Sequence, residues 1–164
     1  TGILALLYRF FPRAWILSVA ISAGTTFYHF AMRLLVGSIV PHFLTNPQQN
    51  RWFQEKRFEP KLYAALKVKM WKDHMPTYNP AFFSLKENSL DQIVHNCCIS
   101  EAVHEVIILC SFVPLLFALR WGSLPVFLIT SLLAAAYDCS FAVMQRYNRP
   151  RLVRILEKRR HQSL

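Results

Sequence analysis

EAVHEVIILCSFVPLLFAL, residues 101–119, is an apolar run of membrane length with two carboxylates and an imidazole built into one end. Glu101 and Glu105 are four residues apart, and His104 follows Glu101 by three, so on a helix all three share one face. A charge in a hydrocarbon slab costs roughly 2.5–3.5 kcal/mol on insertion scales, which makes an ionisable cluster there a functional candidate. The alternative is an ordinary solvated helix end lying just outside the slab.

The composition supports the membrane reading. Of 164 residues, 54% are hydrophobic, and the formal net charge is +10. A basic excess of that size is also found in nucleic-acid binders, but here its distribution argues against such a partner. Lys and Arg nearly vanish from three long apolar stretches and crowd the segments between and after them. The cysteines, Cys97, Cys98, Cys110 and Cys139, show neither a disulfide framework nor zinc spacing. The chain starts at Thr1 and not at Met, so a missing or processed N-terminus is expected.

Outward from the central run, the sequence predicts an all-α integral membrane bundle of about three spans, forming a single domain over residues 1–164. Thr1 to Phe11 is short and apolar, suited to an interfacial helix or the stub of a longer one. Ala14 to Val40 is the first span, carrying His29 and Arg33 on one face, with Pro41 expected to end it. Residues 42–98 form a polar, basic region. Within Arg51 to Met70, Phe58, Leu62, Leu66 and Met70 recur every four residues beside Lys61, Lys67 and Lys69, which predicts an amphipathic helix in the headgroup layer. Met75-Pro76 and Asn79-Pro80 break the chain, and Phe82, Phe83 and Leu85 offer a second interfacial patch. Ser89 and Gln92 have the spacing of a capping box. The second span is 101–119, Arg120-Trp121-Gly122 is a tight turn, and the third span is 125–144. The tail, 145–164, is expected to form a basic surface helix from Pro150.

Residues 42–98 hold eight Lys or Arg, the tail seven, and the 120–124 turn one. By the positive-inside rule both basic segments, with the C-terminus, face the cytoplasm of a multi-pass cell-membrane protein. At 1.5 Å per residue, His29, Glu105 and Asp138 then lie about 22, 22 and 20 Å from the outer boundary. In a slab of about 30 Å the three share one level, and they should face one another, together with Arg33 and His104.

Two polar motifs flank this belt. WKDHMP, 71–76, groups Trp71, Lys72, Asp73 and His74. QRYNRPR, 145–151, contains Gln145, Arg146, Tyr147, Asn148 and Arg149 and emerges directly from the third span. Membrane anchoring is the plain explanation for both. QRYNRPRL, preceded by a span and followed by a basic tail, also resembles the glycosyl-4,4'-diaponeurosporenoate acyltransferases of staphyloxanthin-type carotenoid biosynthesis. Lys69, Trp71 and Lys72 in KVKMWKD look like that family's second motif, and Glu105 followed by Pro114 looks like its third. The resemblance runs from about Phe58 to Arg160.

It implies that a sugar hydroxyl on a carotenoid glycoside or similar glycolipid is esterified with a fatty acyl group, and that the partners are membrane lipid, a lipophilic glycoside and an acyl donor such as acyl-CoA. Such a reaction needs a general base, typically worth 10²–10⁴-fold, and donors aimed at the oxyanion. His104, oriented by Glu101 or Glu105, is one candidate base; His74 with Asp73 is the other. Arg146, Asn148 and Arg149 would hold the donor's phosphate or polarise its carbonyl, while His29, Arg33 and Asp138 would line the buried end of the site. No cofactor is called for. Glu101-x-x-His104 is also half of a carboxylate-bridged metal site, needing further ligands such as His95, His29 or Asp138. A metal-dependent lipid-modifying enzyme and a non-catalytic membrane scaffold are the competing readings. A three-span bundle is thin enough that self-association is compatible with it.

Overall fold

A computed structural model of the chain describes residue 2 and residues 14–76 and 80–162. The segment expected over Thr1 to Phe11 and the Asn79 half of the second proline break lie outside these residues. The elements are helical, with no strand among the described residues. They are α1 (Ala14–Phe43), α2 (Glu59–Ala65), α3 (Val68–Trp71), α4 (Leu90–Cys110), α5 (Leu115–Trp121) and α6 (Leu124–Gln162), joined in part by 3₁₀ turns. Three stretches, Trp15–Phe43, Leu90–Trp121 and Leu124–Gln162, are long and apolar enough to cross a membrane.

The helix boundaries differ from the sequence expectation at five places, each for a physical reason. Pro41 does not end α1, which runs on to Phe43. A proline in the last turn removes only one bond, and the chain closes beyond it through Leu44 N–H to the Pro41 carbonyl at 3.4 Å. The helix that the Ser89 and Gln92 spacing predicts does start there, at Leu90, and it runs unbroken into the stretch expected to begin as a span at Glu101. Ser89 accepts from the Gln92 N–H at 3.2 Å, and Leu90, Ile93, Val94, Cys97 and Cys98 bury one continuous stripe. That helix then breaks at residues 111–114, ahead of α5. The third span does not stop near 144: α6 continues through Pro150 to Gln162. Finally, the amphipathic segment is not one helix. Pro60 lies in the first turn of α2, and Lys67 at φ 50° separates α2 from α3. The Trp71 indole N–H then bonds the Leu66 carbonyl at 3.0 Å, satisfying an end of the broken ladder.

The chain divides into two compact units. The first joins the described residues through Ile39 with Glu105–Cys139; the second joins Val40–His104 with the chain from Ser140 onward. The first is inverted relative to a water-soluble core. Trp15, Phe27, Phe30, Leu34, Leu109, Leu116, Leu119 and Leu133 point outward, whereas Thr25, His29, Ser111, Ser131 and Asp138 are buried. Burying a large aliphatic side chain is worth about 1.5–3 kcal/mol in water, so this distribution suits a lipid surround. Inside it, hydroxyls close on their own helices: Thr25 donates to the Ile21 carbonyl at 3.0 Å and Ser111 to Ile107 at 2.8 Å.

Pro114 shows the same economy. Its ring lacks the N–H that would bond the Cys110 carbonyl in a continuous helix. The Tyr28 hydroxyl, from α1, donates to that carbonyl at 2.8 Å, and the Val113 N–H adds a 3.1 Å contact. A neighbouring helix thus re-satisfies a backbone group that proline frees within a span. Tyr28→Phe should lower the unfolding free energy in detergent by about 1–3 kcal/mol. In a Pro114→Ala background, where the backbone supplies its own donor, the loss should largely vanish. An equal loss in both backgrounds would show that the hydroxyl acts elsewhere.

Candidate functional site

In the first unit, the Arg33 guanidinium from α1 pairs with the buried Asp138 carboxylate from α6. It also reaches the Ala134 carbonyl at 3.5 Å and its own helix at the His29 carbonyl, 3.4 Å, and it lies over the Tyr137 ring at 5.7 Å. His29 is buried beside Tyr28, with ring centroids 5.4 Å apart, and neither of its nitrogens has a hydrogen-bond partner among the described residues. Glu105 is half-buried in the same unit.

The second unit holds the denser constellation. Glu101 is fully buried. One of its oxygens accepts from Arg146 Nη1 at 2.7 Å, and the other from Arg149 Nη1. Arg146 Nε also donates to Glu59 at 2.7 Å, and its Nη2 to the Trp52 carbonyl at 3.0 Å. Glu59, fully buried, accepts in turn from the Tyr63 hydroxyl at 3.0 Å. The Arg149 guanidinium lies 5.4 Å from the Phe53 ring centre. Two arginines and two carboxylates therefore neutralise one another in a buried network. Burial, followed by the Glu59 charge, pushes the Tyr63 phenol above its ordinary value.

Arg146 and Arg149, expected to hold an anionic substrate, turn most of their donors to Glu59, Glu101 and the Trp52 carbonyl, while Arg149 Nη2 is buried without a hydrogen-bond partner among the described residues. The reason lies in the helical period of QRYNRPR. Arg146 and Arg149 occupy one face of α6, while Gln145, Asn148, Arg151 and Leu152 occupy another. That other face lines a groove of about 540 Å³, together with Lys72 and Asp73. Met75, Phe83, Ile93 and Met144 give it an apolar floor. Its volume is ordinary for a ligand pocket. Lys72 Nζ lies 2.5 Å from Asp73, and this contact is the main reason the Asp73 carboxyl titrates below its usual range. Arg151 donates to the Tyr147 hydroxyl at 2.6 Å and stacks on that ring at 4.2 Å. Tyr147 itself meets Tyr63 edge-on at 5.3 Å.

The candidate bases are in different settings. His74 is exposed and follows Asp73 in a 3₁₀ turn. His104 is half-buried and stacked on Phe141, with centroids 4.8 Å apart. Trp71 is half-buried, its indole N–H bonded to the backbone as described. Among the described residues no group of three or more His, Cys, Asp or Glu side chains converges, so Glu101-x-x-His104 gains no further ligands there. A second hollow, beside Ser18, Ser22 and Phe30 of α1, carries no titratable side chain and reads as a lipid-facing crease.

Trp52 and Phe53 were read from sequence only as aromatic bulk of the amphipathic segment, and Glu59 was not singled out. The one local signal is Glu59 four residues before Tyr63, a helical pair inside a segment otherwise rich in lysine and exposed apolar side chains.

Residues 49–158 match the family model described as glycosyl-4,4'-diaponeurosporenoate acyltransferase. The chain belongs to this family. The matched segment contains KVKMWKD, QRYNRPRL, the whole charged network and every residue lining the groove. The family's name is that of an acyltransferase. Comparisons with curated proteins and with solved structures returned no match.

Two outcomes follow. Glu101→Gln leaves the buried Arg149 and the half-buried Arg146 facing one carboxylate and should destabilise the protein by about 3–5 kcal/mol; pairing it with Arg149→Met should restore most of that, as read by denaturation in detergent. For Tyr63, the raised pKa means the folded state favours the neutral phenol. Its contribution is complete below the ordinary phenol value of 10.0 and is lost as pH climbs from there toward the folded-state value. Denaturation at a series of alkaline pH values should therefore show a shallower loss of stability in Tyr63→Phe than in wild type; parallel curves would contradict this.

Proposed function

We propose that the protein is an integral membrane acyltransferase that esterifies a sugar hydroxyl of a glycosylated carotenoid or similar glycolipid with a fatty acyl group, and that the groove beside α6 is where transfer occurs. The observation that carries the reading is that the family match encloses all of the groove's lining residues. Three helices apolar enough to span a bilayer support a lipid-soluble acceptor. The multi-pass cell-membrane topology, with residues 42–98 and the tail on the cytoplasmic side, rests on the distribution of Lys and Arg. Phe58, Leu62, Leu66 and Met70 are all exposed, with Lys61, Lys67 and Lys69 exposed around them, a combination suited to the headgroup layer.

The chemistry required is modest. The base removes the proton of the sugar hydroxyl as its oxygen attacks the acyl carbonyl, and nearby donors stabilise the oxyanion. An imidazole is the side chain best matched to that proton transfer near neutral pH. We assign the role to His74, because its neighbours Lys72 and Asp73 line the groove. Gln145 and Asn148 supply amide donors on the facing helix, the type of group that orients sugar hydroxyls or an oxyanion.

With dodecyl glucoside as a surrogate acceptor and a radiolabelled acyl thioester, His74→Ala should lower kcat by about 10²–10⁴-fold while KM changes little. Full turnover in a folded His74→Ala protein would remove His74 from the mechanism and move the base to His104.

A further inference from the structure

Resting on the reading of the groove as the transfer site, we infer that it recognises its acyl donor through a phosphate group held by Arg151 and Lys72, which line it, and not by Arg146 and Arg149, which do not. Three observations converge. The groove lining carries Lys72, Asp73 and Arg151 as its formal charges, a net positive excess, with the Lys72 charge partly answered by Asp73. Arg151 is exposed yet held in place: its ring stacking and single described hydrogen bond are both to Tyr147, which leaves the remaining guanidinium donors uncommitted among the described residues. The lining also includes Met75, Phe83, Ile93 and Met144, apolar side chains that suit a hydrocarbon tail.

A guanidinium lining a groove that also carries apolar side chains fits an amphiphile with a phosphate at one end and an acyl chain at the other. Energetics point to the same class. Condensing a free fatty acid with a hydroxyl needs activation that the groove does not supply, so the acyl group must arrive as a thioester or ester. In the step itself the sugar oxygen forms a bond to the acyl carbon, the bond from that carbon to sulfur or oxygen breaks, and the leaving group takes up the proton released by the hydroxyl. Soluble pantetheine thioesters and phospholipids both present a phosphate and an activated acyl chain.

The test compares binding and transfer by the purified full chain in phospholipid-free detergent. Palmitoyl-CoA should bind at least tenfold more tightly than S-palmitoyl-N-acetylcysteamine, which has the same acyl thioester and no phosphate. Arg151→Ala and Lys72→Ala should each erode that preference, and Arg151→Lys should keep part of it, which controls for misfolding. Equal binding of the two thioesters by wild type, or an unchanged preference in Arg151→Ala, overturns the inference. A third arm offers acyl-labelled phosphatidylglycerol. If it displaces palmitoyl-CoA in wild type and not in Arg151→Ala, the phosphate site stands with a lipid headgroup as its source. Phosphate preference without transfer to any glycoside would keep the site and defeat the acyltransferase reading; transfer without phosphate preference would do the reverse.

Discussion

One carboxylate, that of Glu101, organises the second unit. It is fully buried, and its two oxygens answer two arginines one turn apart on α6. A buried ion left unpaired costs several kcal/mol, so once Glu101 is inside, Arg146 and Arg149 must be there too. Their spacing then dictates the helix. Both lie just ahead of Pro150, and Arg154 and Arg160 beyond it pair with Glu55 and Asp91. Anchored on both sides, α6 continues through a proline that in isolation would cost about 3 kcal/mol. Arg146 extends the same network to Glu59, so the segment between the first two long helices is held by the carboxylate chemistry that holds α6.

The first unit has the opposite distribution. Its exterior is apolar and its interior collects hydroxyls, an imidazole and an ion pair. The polar groups there are not surplus. In hydrocarbon, a group that cannot reach water must find its partner within the protein, and Arg33 with Asp138, or Tyr28 with the Cys110 carbonyl, are such partners. His29 and Arg33 lie outside the matched segment and Asp138 within it.

Much of this was legible in the sequence. The three apolar stretches declare themselves by length, and QRYNRPR stood out as a polar cassette at the end of a span. The start of α4 was read from the capping-box spacing of Ser89 and Gln92; its continuity with the 101–119 run was not, because charge ends a hydropathy run even where it does not end a helix. The role of Glu59 was not legible. Its partner lies 87 residues away, and no local pattern encodes a pairing across that distance. The division of QRYNRPR into a neutralised face and an open one follows from helical periodicity only after the helix is known to cross Pro150, and that depends on the distant acids. The grouping of the site residues by face is a property of the fold.

The pairing of Glu59 and Glu101 with Arg146 and Arg149 also imposes an order on biosynthesis. The acids leave the ribosome first, and the third apolar stretch must be made before their arginines exist. Until then the two carboxylates lack these counter-ions, so the network of the second unit cannot close. Closure waits for QRYNRPR, and a chain interrupted before it would display two stranded acids beside exposed aromatics, a surface that cellular proteolysis is well suited to detect.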